Sequence, residues 1–458
     1  MTLSHNLITK EKTLAINKDS KLYGTFAEIG AGQEVARHFF QAGLSSHTIA
    51  KTMSAYDMSL SDEIYGTSPR YVCIDRLEKM LSYEYDLLQN RLAKTRGDTT
   101  QFFCYANTVT TTSDSDKNSH GWMGFCFQDK EERLPSKVII HLKLNHTQRL
   151  VQQTEIGILG VNLIYNSLYK RKNLSDFISS LKEDLQSGVE IDYIQFKGSA
   201  FSHIDNRTAN LELIQNNWTK SIVFTPDGII LQAEEAFFNK NLLIMQGTYR
   251  PITKSNLEIL NQSQKYFKSI FNIKDEKILS VLEMNLGQKQ KMDYKDILNR
   301  IDTITATNNY TLVSKFNVMH ELKSYIRNAS SKPLAFVIGA SFLDSLFNEN
   351  FYKDLKGSLL EAMGKLFDTN TKVLVFPYKQ KDLCITGKAF SPEKKYACLY
   401  QYLLEQNFIT DISVCDDIDI SILSEKVREL LKKSDKSWAE FVPDKVVKLI
   451  KEHNMFKD

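Results

Sequence analysis

The run Glu28-Ile29-Gly30-Ala31-Gly32 combines an acidic side chain with two closely spaced glycines. The residues before it are typical of a strand, and those after it have the spacing of one helical face. Glycine permits positive φ or a close backbone approach, and free N–H groups at the start of a helix attract anions. We therefore predict a ligand site whose residues are Glu28, Gly30, Gly32, Glu34 and Arg37. The alternative is a turn that packs helix against strand, with Glu34 placed favourably at the helix N-terminus.

The same run resembles the first motif of class I methyltransferases, which bind S-adenosylmethionine. That family usually has a third glycine where this chain has Glu34, and an acidic residue ends its next strand. Here the apolar spacing across residues 49–64 predicts a second helix instead of that strand. Asp57 lies beside the apolar stripe, is expected to be partly buried, and is a further candidate ligand-binding residue. The dinucleotide fingerprint also differs, because its third glycine falls at Val35.

A second candidate site follows the predicted strand Val189–Phe196. In open α/β sheets, ligands bind beyond the carboxyl ends of the strands. The loop here leads directly into a helix N-terminus, which suits a phosphate or a carboxylate. The candidate ligand-binding residues are Ser199, His203, Asp205, Asn206 and Arg207. The alternative is ordinary capping of the helix by Asp205 and Asn206.

Two further candidates, Arg96 and Asp98, flank Gly97 at the end of a long predicted helix. The alternative for this triplet is a plain turn. No metal site is predicted, because the chain has no H-E-x-x-H sequence and no paired cysteines of the zinc-binding kind. His141 and His146 would point to opposite faces of an extended segment.

Composition and charge bear on the class of protein. The 458 residues include 58 basic and 55 acidic ones, giving a net charge of +3, so a nucleic-acid partner is not indicated. The first twenty residues lack the apolar core of a secretory signal, and the most apolar predicted helix is too short to span a bilayer. The six cysteines form no C-x-x-C pair, which fits a reducing compartment. We therefore expect a cytoplasmic protein with no membrane partner.

Hydrophobic periodicity predicts an α/β fold, with a mixed, mostly parallel sheet domain, a second smaller α/β domain and connecting helices. Aromatic and β-branched runs at 101–112 and 122–127 predict a hairpin, which makes the first sheet mixed. Strands and helices alternate from residue 137 onwards. The predicted organisation is an N-terminal domain at 1–255, a helical connection at 256–330 that includes a helix at 276–290, and a C-terminal domain at 331–458.

Most of the chain resembles a widespread bacterial family of cytosolic proteins of unknown function. The resemblance rests on the runs YGTFAEIGAGQEVARHFF, AKTMSAYDMSLSDEIYG, RGDTTQFFCYANTV, GILGVNLIY, DNRTANLELI and GTYRPIT. Members carry labels such as nicotinate-nucleotide adenylyltransferase or TonB-dependent receptor. The second label disagrees with the missing secretory signal. The first implies an α/β nucleotide-binding fold, although the H-x-G-H-type phosphate motif of adenylyltransferases is absent here.

Three functions stay open at this point. The first is an enzyme, for instance a nucleotidyl- or group-transferase, that acts on a nucleotide or another phosphorylated metabolite. The second is a non-catalytic binding or assembly protein built on an α/β core. The third is an S-adenosylmethionine-dependent methyltransferase. The sequence itself indicates no cofactor, catalytic residue or oligomeric state.

Overall fold

The structure is a computed structural model that describes residues 7–112, 119–129, 134–274, 277–287, 291–380, 383–412 and 424–456. It divides the chain into two compact units, Met1–Thr219 and Lys220–Asp458. The sequence placed this boundary near residue 255 instead. The difference arises because the strands between 221 and 246 pair with strands of the second unit rather than with those of the first.

The first unit contains seven α-helices and six strands among its described residues. They are α1 (Leu7–Lys18), β1 (Leu22–Ile29), α2 (Glu34–Ala42), β2 (Ile49–Met53), α3 (Met58–Tyr65), α4 (Ile74–Arg96), β3 (Gln101–Val109), β4 (His120–Phe127), β5 (Ser136–Leu144), α5 (Arg149–Tyr169), α6 (Leu174–Ser180), β6 (Val189–Lys197) and α7 (Asn206–Gln215). The strands form one sheet in the order β2-β1-β3-β4-β5-β6. β2 and β3 run parallel to β1, whereas β3 to β6 form an antiparallel meander. The predicted mixed sheet is confirmed.

Each face of this sheet is covered by different helices. On one face, side chains of β1, β3, β4 and β5, such as Phe26 and Phe125, join a core with residues of α2 and α5. On the other face, α4 lies so close to β4 that a Cβ atom on Gly124 would overlap the side chain of Leu81. Strands that are apolar on both faces suit such a sandwiched position.

The most apolar helix, α5, is buried along most of its length. Its two glycines allow α2 to approach closely: a Cβ atom on Gly157 would lie 3.0 Å from His38 Nε2, and one on Gly160 would overlap Val35. This contact fixes α2, and with it the turn that leads into α2, against the core. Among the described residues, no helix is both long enough and apolar enough to cross a membrane.

The segment after α2 differs from the sequence prediction. Residues 49–53 form strand β2, which pairs parallel to β1, and only residues 58–65 are helical. The predicted single helix across 49–64 is therefore wrong. Apolar residues three or four apart favoured the helix, but β2 is short and partly buried, so its own alternation is weak. The β1–α2–β2 segment is thus a complete parallel β-α-β unit.

The second unit contains ten strands and nine α-helices among its described residues. They are β7 (Ser221–Phe224), β8 (Ile230–Leu231), α8 (Ala233–Phe237), β9 (Asn241–Gln246), α9 (Lys254–Ile270), β10 (Ile278–Asn285), α10 (Tyr294–Thr305), β11 (Tyr310–Ser314), α11 (Met319–Arg327), β12 (Leu334–Gly339), α12 (Leu343–Leu346), α13 (Ser358–Leu366), β13 (Thr371–Phe376), β14 (Tyr378–Gln380), β15 (Leu383–Ile385), α14 (Ala397–Glu405), β16 (Ile409–Asp411), α15 (Ser424–Lys432) and α16 (Asp444–His453).

Eight of these strands form a second sheet in the order β16-β13-β12-β9-β10-β11-β7-β8, parallel from β16 to β11. β10 and β11 lie within the segment that the sequence described as a helical connection, and β10 replaces the predicted helix at 276–290. A short run that is apolar on both faces fits a buried strand as well as a buried helix, which explains this error. The predicted α/β class is confirmed. Cys384 is disulfide-bonded, a state that the sequence did not predict.

Candidate ligand site at the glycine turn

The carboxyl group of Glu28, near the end of β1, caps the first turn of α2. Its Oε1 accepts a hydrogen bond from the Ala36 amide at 2.9 Å, and its Oε2 accepts one from the Val35 amide at 3.2 Å. Asn107 of β3 donates a third bond to Oε2 at 3.2 Å and also contacts the Tyr105 hydroxyl at 3.2 Å. Glu28 is therefore a fixed part of the turn, and two amides of α2 are already occupied.

Burial changes the acidity of this carboxyl group. The Glu28 side chain is inaccessible to solvent, and this burial raises its pKa to about 7, although the three hydrogen bonds oppose the shift. Desolvation disfavours the charged form of a carboxyl group, whereas donors favour it. Glu28 consequently changes its charge near neutral pH, directly beneath the turn.

The two glycines of the turn have different surroundings. Both have positive φ, +95° at Gly30 and +86° at Gly32. A Cβ atom on Gly30 would overlap the carbonyl oxygen of Val109, so Gly30 is required for packing against β3. A Cβ atom on Gly32 would meet only the Tyr56 hydroxyl at 3.6 Å and Glu34 Oε1 at 3.9 Å. The packing alternative therefore applies to Gly30, whereas Gly32 borders open space.

Residues that follow β2 also reach the turn. Tyr56 is 66% exposed, and its hydroxyl is the nearest atom to the open side of Gly32. The sequence placed Tyr56 on a helical stripe and did not single it out. Asp57, predicted to be partly buried, is instead an exposed cap of α3 whose Oδ2 accepts a hydrogen bond from the Leu60 amide at 2.8 Å.

Glu34 and Arg37 lie on the first turn of α2, close to Gly32. Their side chains form an ion pair of 3.3 Å in which Arg37 is 64% exposed. Such an exposed pair contributes little to stability. Glu34 also contacts Gly157 together with His38, whose pKa is lowered chiefly by burial. The structure thus brings Glu28, Gly30, Gly32, Glu34 and Arg37 together.

The second predicted site, the loop after β6, is organised mainly by capping. Asp205 Oδ1 accepts hydrogen bonds from the amides of Arg207 at 2.7 Å and Thr208 at 3.1 Å. The capping alternative for Asp205 is confirmed, and these two amides are not available to an anion. His203 contacts the carbonyl of Arg171 at 3.1 Å. Ser199 Oγ is buried with no hydrogen-bond partner among the described residues, and an anion-binding role for Arg207 stays a prediction.

Asn206 has a structural role other than the predicted helix capping. Its side-chain amide accepts from Phe196 N at 2.7 Å and donates to Phe196 O at 3.0 Å. One helical turn later, Asn210 makes the same pair of bonds with Ile194, at 3.1 and 2.7 Å. Because β6 is an edge strand of the sheet, the two asparagines occupy backbone groups that would otherwise be open to another strand.

Arg96 and Asp98 lie away from the glycine turn. Arg96 stacks over the ring of Tyr23, with its guanidinium carbon 4.0 Å from the ring centroid. Tyr23 is at the amino end of β1, and the strand extends roughly 20 Å to Gly30. A shallow cavity of about 200 Å³, which Asp19 and Arg171 help to line, is also at this amino end, next to Leu22. The structure therefore does not join Arg96 and Asp98 to the glycine turn.

A polar cluster that the sequence did not single out lies on β4, β5 and β6. His141 Nδ1 is 2.5 Å from Asp192 Oδ1, His141 Nε2 is 3.1 Å from His120 Nδ1, and Lys143 Nζ is 3.0 Å from Asp192 Oδ2. Burial raises the pKa of the Asp192 carboxyl, but the neighbouring His141 and Lys143 outweigh it and hold that pKa below its usual range. The spacing of two between His141 and Lys143 in a strand was the available signal.

Comparisons with known proteins give structural likenesses only. No family model and no curated protein matches the chain. The chain is similar to the competence/damage inducible protein CihA from Agrobacterium tumefaciens, with 14% identity and a TM-score of 0.25 over 34% of this chain and 93% of that one. It is similar to a competence or damage-inducible protein from Enterobacter asburiae at 10% identity and TM-score 0.26, over 35% and 96% of the two chains. It is also similar to a competence-damaged protein (CinA) superfamily protein from Escherichia coli, with 13% identity and a TM-score of 0.26 over 36% of this chain and 98% of that one.

Proposed function

We propose that the first unit binds a nucleotide or another phosphorylated metabolite at the glycine turn, residues 30–32. The observation that supports this proposal is a set of three consecutive amides, those of Gly32, Gln33 and Glu34. None of them has a hydrogen-bond partner among the described residues. They lie at the N-terminus of α2, which Gln33 caps and Glu34 begins, and there the helix dipole and free N–H groups favour a negative charge.

The surroundings of these amides suit the rest of such a ligand. Tyr56 is exposed and reaches the open side of Gly32 with its hydroxyl, and its ring is the aromatic group that a base would stack on. The guanidinium of Arg37, one turn into α2, is exposed, and guanidinium groups bind phosphate oxygens. The Glu34 carboxylate that pairs with Arg37 would have to give up part of this ion pair.

Glu28 gives the proposed site a dependence on pH. An ionised carboxylate beneath the turn repels a phosphate, whereas a protonated one does not. Since the pKa of Glu28 is raised to about 7, binding of an anion and protonation of Glu28 favour each other. We expect affinity for a phosphorylated ligand to fall as the pH rises from 6 to 8.

Nucleotidyl transfer or another group transfer is the reaction class that we propose for this site. Glu28 is the buried group that holds a proton near neutral pH, and the three amides would bind the transferred or leaving phosphate. A non-catalytic binding or assembly protein is the competing class. A stable protein partner together with no response to any nucleotide would favour it.

S-adenosylmethionine is a second candidate ligand, and strand β2 is the observation that favours it. The sequence lacked a strand after α2, which counted against the methyltransferase motif, but β2 supplies a parallel strand at that place. The first acidic residue after β2 is Asp57, which caps α3. An adenosine hydroxyl would have to share that carboxylate with the Leu60 amide.

Thermal unfolding with a ligand panel tests these proposals. The panel contains inorganic phosphate, AMP, ATP, nicotinate mononucleotide, NAD⁺ and S-adenosylmethionine. A ligand present at 100 times its Kd stabilises the native state by about 2.7 kcal/mol. For a unit of this size that raises the Tm by roughly 5–10 °C. A Tm unchanged by every compound would overturn the proposal.

A further inference from the structure

The second sheet has a topological switch point between β9 and β12. From β9 the chain moves through β10 to β11 in one direction, and from β12 it moves through β13 to β16 in the other. All six strands are parallel, so their carboxyl ends share one edge. α11, α13 and α14 contribute to the hydrophobic core on one face, whereas the buried residues of α9 and α10 lie outside that core. Ligands of such doubly wound sheets bind at the switch point, beyond the strand ends.

A cluster of arginines surrounds the loop that leaves β9 at this point. Asp296 pairs with Arg250 and, at 3.6 Å, with Arg300. Arg300 Nε also donates to the carbonyl of Thr248, two residues after β9, at 2.7 Å. In the described ion pairs of the cluster, one carboxylate, that of Asp296, is shared by two guanidinium groups. The cluster therefore keeps an excess of positive charge at the end of β9.

A third arginine adds to this charge. The first residue of α15, Ser424, donates a hydrogen bond to the carbonyl of Pro251 at 2.9 Å, which docks α15 on the same loop. Arg428, one turn further along α15, is close enough for its charge to lower the pKa of Arg300, a shift caused chiefly by burial. Arg428 Nε is buried with no hydrogen-bond partner among the described residues.

At the strand ends, next to the loop that leaves β9, lie Gln246 and the buried carboxyl of Glu283, whose pKa burial raises to about 7. Gln246, the last residue of β9, donates from Nε2 to Glu283 of β10 at 3.1 Å. Its Oε1 is buried and has no partner among the described residues. A buried acceptor without a donor is costly, and a ligand hydroxyl or amine would satisfy it.

We propose that the second unit binds a nucleotide at the switch point, with its phosphate groups on Arg250, Arg300 and Arg428. Guanidinium groups bind phosphate oxygens in a forked geometry, so a cluster with more guanidinium than carboxylate groups suits a di- or triphosphate. The open Gln246 oxygen lies toward the strand ends, where the nucleoside part would sit. This site does not depend on the proposal for the glycine turn, because it uses only residues of the second unit.

Calorimetric titration of the Gly32→Val chain with ATP, NAD⁺ and GTP tests this site with the first one disabled. We expect one nucleotide to bind per chain, Arg428→Gln to weaken it at least tenfold, and Lys432→Gln, one turn away on α15, to leave the Kd within twofold. If circular dichroism shows Arg428→Gln to be misfolded, Arg250→Gln replaces it with the same expectation. Arg428→Lys, which keeps the charge, should lose less affinity than Arg428→Gln.

Three results would overturn the inference. The first is absence of binding by all three nucleotides to the Gly32→Val chain. The second is an equal nucleotide Kd for the Gly32→Val chain with and without the arginine substitution, provided that the substituted chain is folded. The third is pyrophosphate binding as tightly as ATP, which would show that the cluster recognises phosphate without a nucleoside. Failure of the glycine-turn proposal would instead leave all nucleotide binding unaffected by Gly32→Val.

Discussion

Glu28 and Asn107 lie opposite each other in the parallel ladder of β1 and β3, and the Asn107 amide donates to the Glu28 carboxyl at 3.2 Å. Both side chains are inaccessible to solvent, and Asn107 Oδ1 has no hydrogen-bond partner among the described residues. Through this pair, β3 is linked by hydrogen bonds to the first turn of α2, because Glu28 also accepts from the amides of Val35 and Ala36. A protonated Glu28 could donate to the open Asn107 oxygen, which would stabilise the neutral carboxyl.

The first prediction concerns pH. The pKa of Glu28 is raised from 4.5 to about 7 by burial, so between these values the native state holds a proton that the unfolded chain has lost. Its contribution to stability is thus complete below about pH 4.5 and is lost as the pH rises through about 7. We expect the free energy of unfolding of the parent, relative to Glu28→Gln, to fall by roughly 2–3 kcal/mol between pH 5 and pH 8.

Urea unfolding at several pH values measures this difference. Glu155→Gln is the comparison, because burial also raises the pKa of Glu155 to about 7 and that residue lies on α5, outside the glycine turn. For both variants, the free energy of unfolding of the parent relative to the variant should fall as the pH rises. Only Glu28→Gln should change the pH dependence of ligand binding. If the difference in unfolding free energy between the parent and Glu28→Gln stays constant with pH, the pKa of Glu28 is not raised.

The second prediction separates the two glycines of the turn. Gly30→Ala should lower the free energy of unfolding by more than about 2 kcal/mol, because its Cβ atom would overlap the Val109 carbonyl and the residue has positive φ. Gly32→Ala should cost about 1 kcal/mol, since only the positive φ opposes it. Chemical denaturation of both variants checks the order. Equal losses would mean that Gly32 is also a packing position.

Sequence patterns located most strands of the first sheet, half of those of the second sheet and the glycine turn, because long apolar runs and paired glycines are local signals. Among the strands they missed are β2 and β10, whose apolar residues fit a helical spacing as well as a strand, and only pairing with β1 and β9 decides between the two. The boundary near 219 was missed for the same reason, since strand pairing is not written in local periodicity. Glu28 caps α2 through the amide of Val35, seven residues further along the chain, and no sequence pattern indicates a contact at that separation.

The third prediction concerns the edge of β6. Asn206→Ala and Asn210→Ala should each destabilise the first unit by about 1–3 kcal/mol, because buried backbone groups of Phe196 and Ile194 lose their partners. Hydrogen exchange should accelerate at the Phe196 amide in the first variant and at the Ile194 amide in the second. Asn216→Ala is the control, since the Asn216 side chain bonds only to Glu212 in the described part of the chain. Unchanged exchange at both amides would refute the edge-protecting role.

Ligand binding at the glycine turn is tested most directly by calorimetric titration of the ligand that gives the largest thermal shift into the parent, Gly32→Val and Gly43→Val chains. Gly43 is the matched control because its φ, +85°, nearly equals the +86° of Gly32, and nothing lies within 4 Å of a Cβ atom placed on it. Both variants should carry similar backbone strain, but only Gly32→Val places a side chain where the phosphate would meet the free amides. We predict that Gly32→Val weakens first-unit binding at least a hundredfold and that Gly43→Val keeps the Kd within about threefold. Equal Kd values in the parent and a folded Gly32→Val chain would contradict it.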